Sequence, residues 1–554
     1  MTSDARGDAQ GRIFLPFHGL VPREQEMKKF TTLALGAFAG LVCSQSALAA
    51  ESVTFDDQIV ITSADGTEIA ANLFTPAATS SNASLPVIIF INSWALEEHE
   101  YLAQAFEFAQ DGYIVLSYSA RGWGQSTAFA TVGGPEDMED LSAIIDWLDA
   151  NTQADISNIG LSGISYGAGL SLLGIANEPR IKTAAALSGW GSLSDALYGA
   201  DTTSLAWGTI LIGSGYLLGE ISSDIPAYFA DLIAGSDVSE AIAWANERSP
   251  LTHVDKINAR NAPVYISNNF GDELFKPNSS LKLYSLLTGP KRIDVNQGIH
   301  ASAEATGLLG LPNYVWDNVH DWFDFWLKGV DNGITEKPPV TMELQSSNQR
   351  VAFEGWPSGS VSTKTLYLGP RGLIGDGSLR NSPNTSTYTN SIWSGADSIA
   401  TTGIPILSAA LDAHIDLGVS AWLPAASDIN SIVYETSSLS SSLKLRGVST
   451  LDVWVSPSHS KTQVVAYLYD EDALGNGKLI SHGVRTLHNA KPGQDVKLSI
   501  EFVAAGYDVP AGHRLALVLD TADPLYQPAT LGVEQINIRY SSSKQSVLTL
   551  SYDP

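Results

Sequence analysis

The chain has 554 residues, 44% hydrophobic and 16% charged, proportions that exclude collagen-like and globally disordered classes. That length exceeds a single hydrophobic core, so two or three domains are expected. The net charge of −28 excludes nucleic acid and anionic membrane surfaces as natural partners.

Residues 1–50 read as a leader and signal peptide. Lys28 and Lys29 form a positive start, residues 30–42 are apolar, and Ala47-Leu48-Ala49 is a small-residue cleavage site. The apolar run is too short to span a bilayer. The mature chain is expected to start at Ala50 or Glu51, to be periplasmic or secreted, and to have no membrane partner after cleavage. The single cysteine, Cys43, lies in this leader. The mature chain is therefore expected to hold no disulfide, no thiolate nucleophile and no cysteine metal site.

Residues 53–74 predict two strands joined at Asp65-Gly66, a hairpin signal. Residues 86–91 are a continuous apolar run, as in a strand buried on both faces of a parallel sheet. Asn92-Ser93-Trp94-Ala95 follows at its end. A helix is expected over 100–109, a strand over 113–118, a glycine-rich loop over 121–126 and a helix over 136–151. A strand over 155–161 then leads into Gly163-Ile164-Ser165-Tyr166-Gly167, and a helix starts at 168. Another strand is expected over 182–187. Alternating strands and helices imply a parallel sheet covered on both faces, with ligands at the C-terminal strand ends. Residues 190–250 break the alternation and read as a helical cap. Its aromatic residues Trp190, Tyr198, Trp207, Tyr216 and Tyr228 are candidates to line a pocket, with Trp190 and Trp207 expected to bind substrate. Strands resume over 263–267 and 292–295, each followed by a polar loop, and a helix over 313–328 closes the domain at 336.

Beyond residue 337 helical patterns vanish. Short alternating runs such as 451–455, 463–469 and 496–502 stand between Gly, Pro, Asn and Ser clusters. Residues 337–554 therefore read as an all-β sandwich or jelly roll.

The Gly-x-Ser-x-Gly pattern at 163–167 carries the chemistry. A strand that turns sharply into a helix presents one serine at the bend, and glycines leave room beside it. A serine hydroxyl needs a base to take its proton, and that base needs an acid to fix its tautomer. Strand-end loops supply Asp272 and His300 in the required order after Ser165. The rival base is His320, inside an amphipathic helix. The rival acids are Glu273, Asp255 and Asp294. The oxyanion formed on attack needs donors already in place. The main-chain N–H of Tyr166 is one, and the loop after residue 91 offers the other at Ser93 or Trp94. No metal-ligand spacing and no nucleotide fingerprint is present, so no cofactor and no metal are expected.

Several stretches together resemble the family of cocaine esterase and the X-Pro dipeptidyl-peptidases. They are Asp65-Gly66-Thr67, Ala120-Arg121-Gly122-Trp123-Gly124-Gln125-Ser126, Gly163 to Gly167, the loop ending in Asp272, and Gly298-Ile299-His300. Leu451 to Ser456 and Ala511 to Leu515 extend the resemblance into the β region. The family also holds α-amino acid ester hydrolases and acylases. The resemblance implies an α/β-hydrolase fold over 51–336 with a helical cap, then a jelly roll. It implies a serine hydrolase working through an acyl-enzyme on a small ester, amide or peptide. Many members carry a tyrosine where Trp94 stands, its hydroxyl donating to the oxyanion. Here an indole N–H takes that place. An esterase or acylase leads this reading. A dipeptidyl-peptidase or amino-ester hydrolase is the alternative, with Glu97 and Glu98 as carboxylates for a substrate ammonium. A surface-binding protein with an inactive hydrolase half is the non-enzymatic alternative. The sequence sets neither substrate nor oligomeric state.

Overall fold

The computed structural model describes residues 53–77, 84–372, 375–395, 398–415, 417–530 and 532–554. The expected leader, its cleavage site and Cys43 lie outside the described residues. Thr54–Pro554 forms one compact unit. Among the described residues no helix is long and apolar enough to cross a membrane.

The first hairpin is β1 (Val53–Thr62) and β2 (Glu68–Pro76). Gly66 takes φ +89 in the turn, and Asp65 Oδ1 accepts the Thr67 N–H at 2.9 Å. The apolar run becomes β3 (Leu85–Ile91), whose Val87 to Ile91 are all 0% exposed, as a doubly covered strand requires. Then come α1 (Leu102–Gln110), β4 (Ile114–Tyr118), α2 (Pro135–Asn151), β5 (Ala154–Ile164), α3 (Tyr166–Asn177) and β6 (Ile181–Leu187). The inserted helices are α4 (Leu193–Tyr198), α5 (Leu205–Leu218), α6 (Asp224–Ala234) and α7 (Val238–Glu247). The sheet resumes through α8 (Val254–Ala259), β7 (Val264–Gly271), α9 (Pro277–Leu286), β8 (Lys291–Ile299) and α10 (Tyr314–Phe323). The Asn313 side chain caps α10 by accepting the N–H groups of Val315 and Trp316. The rest of the expected helix is a π-turn over Asp324–Lys328, ended by Gly329 at φ 72.

Both late strands run further than the sequence suggests. Asn268, Asn269 and Asn296 look like loop residues, yet all are 0% exposed inside strands. Asn268 stands opposite Val295 and Asn269 opposite Asn296. Their amides are paid for locally: Asn268 Nδ2 donates to Phe275 O and Ser280 Oγ, and Asn296 Nδ2 donates to Ser267 Oγ.

The first sheet also continues past residue 336. β9 (Val340–Glu343) lies parallel to β8, and β10 (Arg350–Phe353) lies antiparallel to β9. Val340 and Met342 are fully buried opposite Ile293 and Val295, which holds this pairing in the core. The sheet order is β1-β2-β4-β3-β5-β6-β7-β8-β9-β10. Strands β4 to β9 run in parallel pairs, with antiparallel pairing of β2 with β4 and of β9 with β10.

The remainder is β-rich, with a second multi-stranded sheet. Thr450–Pro457 alternates buried and open positions, and Leu451, Val453 and Val455 enter a core with Leu498, Ile500, Leu517 and Leu519. Among the described residues one α-helix interrupts it, α11 (Leu407–Ile415), which packs against β7 and β8. The expectation that helices end at 336 is corrected there. The whole is a mixed α/β sheet with inserted helices, followed by a large β-rich domain, an arrangement consistent with an α/β hydrolase joined to a β-sandwich.

Candidate active site

Ser165 stands between β5 and α3 with φ 55 and ψ −110, a strained backbone for a side-chain-bearing residue. The flanking glycines are required by contact. A Cβ on Gly167 would lie 2.0 Å from the Ile91 carbonyl oxygen, and one on Gly163 would lie 2.7 Å from the Gly167 carbonyl carbon. The Ser165 N–H is held by the Leu187 carbonyl at 2.8 Å. The bend thus sits between the ends of β3, β5 and β6.

Ser165 Oγ donates to His300 Nε2 at 2.7 Å. His300 Nδ1 donates to Asp272 Oδ2 at 2.8 Å. Asp272 follows β7 directly and His300 follows β8 directly, so the paired strand ends bring acid and base together. The other Asp272 oxygen accepts the N–H groups of Leu274 at 3.0 Å and Phe275 at 2.7 Å, which fixes the carboxylate plane. Burial alone would push the His300 imidazole down. The charge and hydrogen bond of Asp272, with Glu304 behind, outweigh it and hold the imidazole above its ordinary value.

The rivals are placed elsewhere. Glu273 turns away, its Oε2 accepting the Ile406 N–H at 3.0 Å, and burial pushes its carboxyl up to about 7. Asp294 pairs with Arg292 and accepts from Tyr265 and Thr341 inside the sheet. Asp255 sits on α8. His320 stacks on Phe108 with ring centroids 3.7 Å apart.

The main-chain N–H of Tyr166, at the open first turn of α3, has no partner among the described residues. The Ser93 N–H is taken by Glu100 Oε2 at 2.6 Å. The Trp94 indole N–H is taken by the Leu211 carbonyl at 3.1 Å and the Ser214 hydroxyl at 3.2 Å, both on helix α5. The expectation of an indole donor therefore fails, because Leu211 and Ser214 of α5 satisfy it first. The main-chain N–H of Trp94 remains without a partner among the described residues.

Ser165 opens onto a cavity of about 90 Å³ lined by Trp94, Tyr166, Trp190, Leu211, Phe229 and other apolar residues. Tyr198 and Tyr228 also line it, whereas Tyr216 is 64% exposed. Among the described residues no charged one lines it. Of the two tryptophans expected to bind substrate, Trp190 lines the wall, its indole N–H held by the Arg248 carbonyl. Trp207 is placed differently: its ring stands edge-on to His300 at 5.7 Å, as does that of Phe275 at 5.1 Å.

Glu97 and Glu98 do not reach this cavity. Glu98 bonds Ser119, and both carboxylates face His99, whose Nε2 also meets Asp57 at 2.6 Å. Ligand atoms of Glu97, Glu98 and His99 lie within 4.8 Å of one another, a spacing that could hold a metal ion. The three carboxylates instead fit an imidazolium: Glu97 first, then Asp57 and Glu98, push His99 up to about 9. A raised histidine contributes stability that is complete below its unfolded value near 6.5 and lost as pH rises through about 9. The thermal midpoint should therefore fall more between pH 6.5 and 9.5 in the native chain than in His99→Gln. Parallel curves in calorimetry would remove this assignment.

Sequence reasoning missed Glu100, Tyr101 and Glu304, which no motif marks. Tyr101 Oη accepts the Ile164 N–H at 2.8 Å, and Glu304 Oε1 accepts from Ser188 at 2.9 Å.

Two family profiles match the chain. The X-Pro dipeptidyl-peptidase (S15 family) matches residues 65–224, and the X-Pro dipeptidyl-peptidase C-terminal non-catalytic domain matches residues 332–550. A Bacillus cereus protein provisionally named a Xaa-Pro dipeptidyl-peptidase is 21% identical over 451 residues, covering 74% of this chain and 71% of that one. A Streptomyces avermitilis protein with the same provisional name is 22% identical over 522 residues, covering 77% and 70%. Among solved structures, a CocE/NonD family hydrolase from Staphylococcus aureus superposes with TM-score 0.71 at 13% identity, covering 90% of this chain and 94% of that one. An α-amino acid ester hydrolase superposes with TM-score 0.68 at 16% identity, covering 91% and 97%.

Proposed function

This chain belongs to the CocE/NonD and X-Pro dipeptidyl-peptidase (S15) superfamily of serine hydrolases, which cleave ester and amide bonds, and from that premise we propose that Ser165 is its nucleophile, His300 its base and Asp272 the orienting acid. Ser165 attacks the carbonyl while His300 takes its proton. The oxyanion is met by the main-chain N–H groups of Tyr166 and Trp94. His300 then protonates the leaving group, and water releases the acyl group by the reverse sequence. The observation that carries this reading is the unbroken hydrogen-bond chain from Ser165 through His300 to Asp272, at 2.7 and 2.8 Å.

The substrate is a small carboxylic ester with an apolar acyl or alcohol part, preferred over X-Pro peptides. A dipeptidase must bury a substrate ammonium, which is costly without a paired carboxylate. The cavity offers none, and Glu97 and Glu98 are engaged by His99 and Ser119. Esters are also the easier chemistry, since an alkoxide leaves more readily than an amide nitrogen. The test compares kcat/KM for p-nitrophenyl butyrate with that for a Gly-Pro anilide. The ester should win by tenfold or more, about 1.4 kcal/mol in transition-state binding. A tenfold preference for the anilide overturns the ester reading and favours a peptidase.

The same reading makes 190–250 a cap over the strand ends and residues 1–50 a cleaved leader, with a periplasmic or secreted product. It makes the β-rich part a closed jelly roll. It divides the two large parts after residue 336, with β9 and β10 carrying the first sheet on to Phe353.

A further inference from the structure

The oxyanion loop is gripped from behind. Glu100 Oε2 accepts the Ser93 N–H at 2.6 Å and Glu100 Oε1 accepts the Ser93 hydroxyl at 2.7 Å. The Ser93 oxygen also lies 3.0 Å from the Ile164 carbonyl, one residue before Ser165. At the other end of the same residue, in the following peptide, the Ser93 carbonyl accepts from Asn92 Nδ2 at 2.9 Å and from the Leu96 N–H at 3.0 Å. A trans peptide is planar, with its N–H opposite its C=O. Fixing the Ser93 carbonyl therefore fixes the direction of the Trp94 N–H. The next residue, Tyr101, holds the nucleophile's side through Ile164, its ring stacked on Phe90 at 4.8 Å.

A carboxylate is a costly choice for this task. Among the described residues no ion pair involves Glu100; Ser93 gives it two donors, and the Tyr101 phenol also hydrogen-bonds it. A carboxylate presents two accepting oxygens, one to each Ser93 donor, where an amide presents one oxygen and one N–H group.

We propose that Glu100 is a positioning residue for the reaction: by holding the Ser93 N–H and hydroxyl it fixes the residue from which the next peptide, carrying the Trp94 N–H, is aimed at the oxyanion. This rests on Ser165 being the nucleophile. Protonation of Glu100 turns one of its oxygens into a donor, so its pairing with the two Ser93 donors must rearrange and the lock loosens. Burial pushes the carboxyl up to about 7 against the pull of the two Ser93 donors, so the change falls in the working pH range. The groups facing it are Ser93 and Tyr101, whose buried phenol stays neutral with its pKa held well above its usual range. The charged neighbours on its own turn, Glu97, Glu98 and His99, face Asp57 and Ser119 instead.

Glu100→Gln keeps the shape and replaces one accepting oxygen with a donor. The expected result is a fall in kcat for p-nitrophenyl butyrate of about tenfold to a hundredfold, below the cost of deleting an oxyanion donor outright, with KM within about twofold. The acid limb of kcat/KM should show two ionisations in the native chain and one in the variant. Ser93→Ala, which removes half the grip, should move kcat the same way by less, and serves if the glutamine variant does not fold. Unchanged kcat and an unchanged limb in folded variants overturn the proposal. So does a loss of activity matched by loss of thermal stability with the limb unmoved. A native chain whose esterase activity survives Ser165→Ala would instead overturn the nucleophile assignment, and the two failures are distinct.

Discussion

Ser165→Ala is expected to lower kcat for p-nitrophenyl butyrate by about a millionfold, the scale on which removing a triad serine acts. In the proposed reaction the hydroxyl oxygen forms the acyl bond, and an alanine methyl cannot replace it. His300 Nε2 is held at 2.7 Å from that oxygen, and methyl truncation leaves the base with no proton to take. Binding in the apolar cavity and the Tyr166 and Trp94 donors persist in the variant, so a residual rate of about 10³ to 10⁴ over water should survive. Alanine at φ 55 is no more strained than serine there, so the thermal midpoint should hold. Covalent labelling by a fluorophosphonate should vanish with activity. A folded variant that keeps more than about one part in a hundred of the native kcat contradicts the nucleophile assignment, since loss of a triad serine costs far more.

The site was legible where covalent geometry leaves one solution. The glycines at 163 and 167 are legible because the bend brings backbone within 2.0 Å of where a Cβ would stand. His300 and Asp272 followed from chain order once strands over 263–267 and 292–295 were recognised. The strands' true ends were not legible. Asn268, Asn269 and Asn296 read as loop because burying an amide is ordinarily unfavourable, and only tertiary partners such as Ser280 and Ser267 reverse that. The pairing of β9 with β8 was hidden for a related reason: a four-residue strand has no distinctive period, and its place is set by Ile293 and Val295 across the ladder. The Trp94 indole looked free because its acceptors, Leu211 and Ser214, lie 117 and 120 residues away on α5. Glu100 carried no signal, because a carboxylate in a run of Glu-Glu-His-Glu reads as a solvated helix start. Its partner Ser93 lies within seven residues, but only the turn geometry shows the contact.

Asp272→Asn should lower kcat by about four orders of magnitude, the cost of giving the base the wrong tautomer when geometry is otherwise kept. Asp272 Oδ1 already accepts two main-chain N–H groups, from Leu274 and Phe275. An asparagine will therefore place its oxygen there, as the acceptor those donors demand, and turn its amide toward His300 Nδ1. That nitrogen must then accept, so the proton moves to Nε2, the atom that should take the proton of Ser165. The pH profile shifts as well. The Asp272 charge is what holds the His300 imidazole above its ordinary value against burial. Removing the charge lowers that value, so the acid limb of kcat/KM should move to lower pH while the plateau drops. Glu273→Gln should cost less than about tenfold in kcat, since Glu273 binds the Ile406 N–H and not His300. The paired measurement is decisive for the acid. A mild effect at 272 with a severe one at 273 would move the acid by one residue. A loss at 272 with the limb unshifted would mean that Asp272 orders the loop without acting on the histidine.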